Sequence, residues 1–189
     1  MIIKLDPVVT LSDEQFFELC QRNRELKFER NAQGDLLIME PTGGETGNLN
    51  FALTTQLGIW DHQAQLGKGF DSSTGFKLPN GADRSPDLAW IPIDKWNALT
   101  PEQRRRFLPL CPDFVVELRS ASDSLSDIQV KMREYIDNGC RLGWLLDAKN
   151  KRVEIYRPEQ APEILEDPDS LSGEEVLPGF ILDLRRIWG

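Results

Sequence analysis

The chain has 189 residues, 40% of them hydrophobic, which is enough for a buried core, so we predict a single domain over residues 1–189. The formal net charge of −9 at pH 7 excludes nucleic-acid binding driven by overall charge, although a local basic groove is compatible with it. Three cysteines without metal-ligand spacing, and no long apolar run, predict a reduced, cytoplasmic protein without a membrane span.

The first half of the chain contains signals for two helices and several strands. Ser12 and Gln15 have the spacing of a capping box, which starts the first helix. The glycine-rich loop PTGGETGN leads into the second helix, whose apolar residues recur at helical spacing. In chain order we predict a helix over 12–26 and a hairpin over 26–40 that turns near Gly34. A second helix follows over 49–66, and two strands around the turn PNGAD follow over 72–93.

The second half of the chain predicts a helical segment over 94–107 and a buried strand over 112–120. An amphipathic helix follows over 122–139, and a hairpin that turns at AKNK follows over 141–158. Gly139 ends the amphipathic helix. The tail contains short extended pieces and a last helical turn. Strands precede, separate and follow helices, which predicts an α/β or α+β protein with a mixed sheet. The middle of the chain has the order strand, strand, helix, strand.

Two acidic residues stand at the ends of neighbouring predicted strands. Asp87 is at the start of one strand, and Glu117 is near the end of the next. Two carboxylates brought together in this way repel each other, so the arrangement is favourable mainly when a divalent cation or a proton lies between them. Oxygen ligands suit Mg²⁺ or Mn²⁺. The single histidine, His62, argues against a Ser-His-Asp triad or a multi-histidine metal site.

Two basic residues are candidates for the same site. Arg119 lies two residues after Glu117, so both side chains are expected on the same face of the strand. Lys131 lies on the following helix at the flank of the apolar stripe, where it can reach the end of the sheet. The spacing is equally compatible with an exposed lysine that pairs with Asp127, one turn earlier.

Pro86–Asp87 followed by Glu117-Leu118-Arg119 resembles the PD-(D/E)xK motif of the restriction-endonuclease-like superfamily. A second Pro-Asp pair, Pro112–Asp113, marks the start of a strand. The element Glu117-Leu118-Arg119 is short and is not specific by itself. An ordered set of segments across roughly 11–188, however, is similar to the sequences of a large bacterial family of endonucleases with that fold. The segments are PTGGETGN, DSSTGFKLPNGADRSPDLAWI, CPDFVVELRSASDSL, KMREYIDNGCRLGWLLD and VLPGF.

The resemblance implies a mixed central sheet flanked by helices, with additional N-terminal and C-terminal hairpins. It implies that Asp87 and Glu117 are metal ligands. It also implies that Glu45, where the glycine-rich loop enters the second helix, is the acidic residue that such folds add from an N-terminal helix. The motif's lysine is Arg119 here, and arginine is a poor general base because it keeps its proton. The resemblance therefore shifts the lysine's role to Lys131.

The function implied by the resemblance is a Mg²⁺- or Mn²⁺-dependent endonuclease. A water oriented by Lys131 would attack a DNA phosphodiester, and Arg119 would clamp a phosphate. Two alternatives remain: a binding or regulatory module on a nuclease fold without activity, and a metal-dependent hydrolase of another phosphoester. A homodimer would suit cleavage of both strands of a duplex, because two-fold symmetry matches the two strands.

Overall fold

The computed structural model describes residues 1–6, 8–39, 41–120 and 123–188, which form two β-sheets, a short hairpin and flanking helices. The helices are α1 (Asp13–Arg22), α2 (Gly44–Ala64), α3 (Ile93–Ala98), α4 (Leu125–Asp137) and α5 (Arg185–Trp188). The strands are β1 (Ile2–Ile3), β2 (Lys27–Arg30), β3 (Leu36–Met39), β4 (Gly67–Asp71), β5 (Phe76–Lys77), β6 (Asp83–Arg84), β7 (Leu88–Pro92), β8 (Phe114–Leu118), β9 (Leu142–Asp147), β10 (Arg152–Tyr156), β11 (Glu163–Glu166), β12 (Ser170–Ser172) and β13 (Ile181–Asp183). Within these ranges, no helix is both long and apolar enough to cross a membrane.

The two sheets differ in how their strands run. The smaller sheet has the order β1-β3-β2-β6-β5 and is antiparallel throughout. The larger sheet has the order β11-β10-β9-β8-β7-β4, in which β8 and β9 run parallel and the other neighbours run antiparallel. Helix α4 is the crossover that the parallel pair requires. This mixed sheet confirms the predicted fold class, and β12 and β13 form the C-terminal hairpin.

The larger sheet is covered on both faces, and this decides where the polar residues of β8 point. Phe114 and Val116 belong to the core on the α2 side, whereas Val115 belongs to the core on the α4 side. Because successive residues of a strand point to opposite faces, Glu117 is directed towards α4. All five residues of β8 are buried, so the strand places a carboxylate inside the protein.

The main sequence predictions for the local elements are confirmed. The side chain of Ser12 accepts a hydrogen bond from the Gln15 N–H, and the Gln15 side chain accepts one from the Ser12 N–H, so both halves of the capping box are present. Gly34 has a φ of +91°, as the turn of the first hairpin requires. Glu40 and Ser122, which the predicted hairpin and amphipathic helix included, lie outside the described residues.

Three predictions about local structure were wrong. The helical segment predicted over 94–107 is only the short helix α3, followed after a break by one 3₁₀ turn (Gln103–Arg105). Helix α2 begins at Gly44, so half of the predicted glycine-rich loop is its first turn; Glu45 there interacts favourably with the positive end of the helix dipole. The segment 72–93 contains three strands instead of two, because the short pair β5 and β6 belongs to the smaller sheet and β7 to the larger one. Strand β4 was not predicted, because its sequence, GKGFD, has low β propensity.

Strand β4 depends on a close approach to its neighbour. A Cβ atom at Gly67 would lie 2.1 Å from the carbonyl oxygen of Ile91 and 2.3 Å from the ring of Trp90. A Cβ atom at Gly69 would lie 3.4 Å from the side chain of Leu57, which is an ordinary contact. Glycine is therefore required at position 67 and not at position 69.

The two glycines form a matched pair of test sites. Gly67→Ala is expected to lower the free energy of unfolding by about 1–3 kcal/mol, since a backbone atom must move to admit the methyl group. Gly69→Ala is expected to change it by less than about 0.5 kcal/mol. Urea unfolding followed by circular dichroism measures both, and equal losses in the two variants would contradict the close approach at Gly67.

Candidate active site

The antiparallel pairing of β7 and β8 brings two carboxylates together. Leu88 pairs with Val116, so the next step in the register places Asp87 opposite Glu117. The Oδ2 atom of Asp87 accepts a hydrogen bond of 2.8 Å from the backbone N–H of Leu118, the residue after Glu117. The expected position of the two acids at neighbouring strand ends therefore agrees with the geometry.

Lys131 lies beside Glu117 on the inner side of α4. Its Nζ atom is 2.8 Å from Oε1 of Glu117 and 2.8 Å from Oε1 of Glu29. The same Glu117 oxygen accepts a 2.9 Å hydrogen bond from the hydroxyl of Tyr135, one helical turn after Lys131. The alternative pairing of Lys131 with an exposed Asp127 is wrong, because the lysine side chain is only 16% exposed and its partners are the two glutamates.

Glu29 was not predicted as a site residue. It comes from β2 in the smaller sheet and is 1% exposed. Besides Lys131, it accepts hydrogen bonds from the Ser85 N–H at 2.9 Å and from Nη1 of Arg84 at 3.1 Å. The contact gave no local signal in the sequence, because Glu29 lies 102 residues from Lys131 and on a strand of a different sheet.

Burial and neighbouring charges set the protonation of this cluster. Burial, reinforced by Asp87 and Glu29, outweighs the attraction of Lys131 and raises the pKa of Glu117 to about 7. Burial opposes ionisation of Glu29 as well, but Lys131 and Arg84 lower its pKa below the ordinary value. Burial alone would lower the pKa of Lys131, but the two glutamates raise it, so the ammonium keeps its proton at neutral pH.

Arg119 has a different partner. Its Nη1 atom donates a hydrogen bond of 2.6 Å to Asp147 at the end of β9, and its Nε lies 3.4 Å from the carbonyl oxygen of Asp123. Asp147 also accepts hydrogen bonds from Asn150 in the following turn. In the described residues, Arg119 is therefore held at the rim of the sheet and not in the ion pairs of Glu117.

Glu45 is exposed in the first turn of α2 and forms no ion pair with another described residue. Contact between α2 and the acids comes instead from Asn50, whose Nδ2 lies 3.4 Å from Oδ1 of Asp87. Asn50 was not predicted; it lies on the second helix, five residues after Glu45. The contact from this helix to Asp87 therefore involves the amide of Asn50 and not the predicted Glu45.

The donor set fits a partly hydrated Mg²⁺ or Mn²⁺ ion. Within the described ranges, no three His, Cys, Asp or Glu side chains are grouped as metal ligands. Mg²⁺ nevertheless needs only one or two carboxylates, with waters and substrate oxygens completing its shell. Asp87 and Glu117 are placed to supply these, and the buried Oδ1 of Asn50, beside Asp87, has no hydrogen-bond partner among the described residues. A cation bound here, or a water bound to that cation, would give this unpaired oxygen a partner.

The fold is shared with a solved structure of the nuclease-like class. A crystal structure described as "a putative nuclease belonging to DUF820", from Anabaena variabilis ATCC 29413, matches with a TM-score of 0.74 at 16% identity, over 87% of this chain and 90% of that chain. Residues 13–185 match the Uma2 family, described as "Putative restriction endonuclease", and the chain belongs to this family. No curated protein matches the chain. The resemblance noted in the sequence is thereby confirmed.

The pKa of Glu117 predicts how the metal-free protein responds to pH. Because this pKa is raised from 4.5 to about 7, the folded state binds more protons than the unfolded state between these values. The free energy of unfolding should therefore fall as the pH rises from about 5 to 7, by at most roughly 1.4 kcal/mol per pH unit, and then level off. The lowered pKa of Glu29 acts in the opposite direction, but only below its ordinary value of 4.5.

Urea unfolding in EDTA at several pH values measures this slope. Glu117→Gln cannot titrate and is expected to lose most of the fall between pH 5 and 7. The same slope in wild type and Glu117→Gln would show that another group causes it.

Proposed function

We propose that the chain is an endonuclease that hydrolyses DNA phosphodiester bonds with Mg²⁺ or Mn²⁺. The observation that carries this proposal is the cluster in which Asp87, Glu117 and Lys131 meet at the ends of β7 and β8. The family description supports an endonuclease, and the fold of the solved nuclease supports the class. Metal dependence and the choice of DNA belong to the proposal.

The two acids would hold the cation. Asp87 is fixed by the Leu118 N–H, so its second oxygen is available to a metal beside Asn50. Glu117 uses one oxygen for Lys131 and Tyr135, which leaves the other for the same ion. Glu45, in the first turn of the helix that carries Asn50, would approach through water. A divalent cation bound here would supply an activated water and offset negative charge on the phosphate.

The basic residues would act as positive charges and hydrogen-bond donors. Lys131 keeps its proton, so it would orient the attacking water or a phosphate oxygen and would not accept a proton. Its ammonium also partly balances Glu117. Arg119 would contact a phosphate at the rim only after its ion pair with Asp147 opens. We assign it a binding role outside the bond-breaking step.

Two rival functions differ from this proposal in their chemistry. The negative net charge and the paired Arg119 favour a binding or regulatory module without activity. Such a module would retain the fold and bind no catalytic metal. A hydrolase of another phosphoester would bind the metal but leave nucleic acid intact.

A homodimer with two-fold symmetry would suit cleavage of a duplex and forms part of our proposal.

The activity is tested by incubation with plasmid DNA, single-stranded DNA and RNA in the presence of Mg²⁺, Mn²⁺ or EDTA. Wild type is expected to cleave DNA only with metal, and Glu117→Gln to lose at least about a hundredfold in rate, since a metal ligand and the charge at the site are removed. Glu154→Gln is the matched control, because Glu154 is also a buried glutamate that accepts hydrogen bonds from a tyrosine and a helix side chain. If Glu117→Gln cleaves as fast as wild type, the assignment is wrong.

Metal binding separates the enzyme from the inert module. Mn²⁺ at millimolar concentration is expected to raise the melting temperature of wild type, because a ligand that binds only the folded state stabilises it. Asp87→Asn keeps an acceptor for the Leu118 N–H but removes the charge, and should lose this shift. Differential scanning calorimetry measures the shift; an equal rise in both proteins would place the metal elsewhere.

A further inference from the structure

Glu29 joins the smaller sheet to the site on the larger sheet. It lies on β2, whereas Glu117 lies on β8, and Lys131 on α4 contacts both carboxylates. Glu29 is 1% exposed, so its charge must be satisfied by protein groups. In sequence, Glu29 is more than eighty residues from both Glu117 and Lys131.

Three donors fix the Glu29 carboxylate. Its Oε1 atom accepts from Lys131 at 2.8 Å and from the Ser85 N–H at 2.9 Å, and its Oε2 atom accepts from Arg84 at 3.1 Å. Arg84 is itself held by Glu134 of α4, at 2.6 Å. Glu29 is poorly suited to bind a metal, because two of its three donors are cations and it is 1% exposed. Its rigid surroundings suit it to hold a flexible lysine in place.

We propose that Glu29 is a positioning residue: it holds the Lys131 ammonium at the ends of β7 and β8 while Glu117 binds a cation. This inference rests on the proposed function. Glu117 alone could not do this, because a carboxylate that binds a metal interacts less strongly with a second cation. A lysine has a long, flexible stem, and a displacement of about 1 Å at a reacting centre can cost about a hundredfold in rate.

A double-mutant cycle tests whether Glu29 acts through Lys131. Glu29→Gln is expected to lower kcat for DNA cleavage about a hundredfold in the wild-type background. In the Lys131→Met background it should lower kcat by less than about threefold, because the group it positions is absent. KM and the half-saturating Mn²⁺ concentration should be unchanged. Equal losses in both backgrounds, or a raised Mn²⁺ requirement, would overturn the proposal.

Asp83→Asn is the matched control for this cycle. Asp83 is a buried carboxylate on the neighbouring strand β6, and it is paired with an arginine, Arg30, as Glu29 is with Arg84. The substitution should lower the melting temperature without changing kcat by more than about twofold, because the ion-pair partners of Asp83 among the described residues, Arg30 and Lys77, are not part of the site. A large loss of kcat in this control would show that general destabilisation explains the effect at Glu29.

Nitrogen-15 NMR of the lysine ammonium groups tests the positioning without any activity. The Lys131 signal, assigned by its absence in Lys131→Met, is expected to be visible in wild type because its protons exchange slowly. It should persist in Glu117→Gln and disappear in Glu29→Gln; the reverse pattern would overturn the proposal. If wild type cleaves neither DNA nor RNA, the proposed function fails, and this spectrum still decides whether Glu29 holds Lys131.

Discussion

The ammonium of Lys131, held between Glu29 and Glu117, is the interaction on which the rest of the site depends. It connects the smaller sheet, the larger sheet and α4 at a single atom. Two buried carboxylates without this charge would repel each other, and a buried ion pair recovers its cost of desolvation only when further hydrogen bonds complete it. Arg84, Ser85 and Tyr135 supply those bonds. Local stability and candidate chemistry therefore depend on the same few contacts.

The backbone register explains why the acids meet at this point. Residues of an antiparallel pair face each other in fixed order, so the start of β7 must lie opposite the end of β8. A slip of one residue would turn Glu117 to the opposite face, towards α2 and a core of aliphatic and aromatic side chains. The apolar residues on both faces of β8 fix the register, and in doing so they fix the position of a polar group.

The sequence predicted the parts of the site that follow from local pattern. The order of strands and helices identified Asp87 and Glu117, and helical periodicity placed Lys131 near the sheet. Long-range contacts were not predictable: Glu29 comes from a different sheet and lies 102 residues from Lys131 in the chain. Strand β4 was missed for a related reason, since its pairing with β7 forms it despite its glycines. The ion pair of Arg119 with Asp147 was also not predicted, because Asp147 lies on the strand that follows the next helix.

The two acids and the lysine differ in how far their positions withstand substitution. Asp87 is anchored by the backbone N–H of Leu118, a group that every residue except proline would supply at that position. Within the part of the chain that the structure describes, Lys131 is anchored by side chains, and the one that binds it from the smaller sheet is 102 residues away in the chain. The position of Asp87 is thus insensitive to most substitutions at Leu118. The position of Lys131, in contrast, can be lost through a single substitution at Glu29, far from the motif in the sequence.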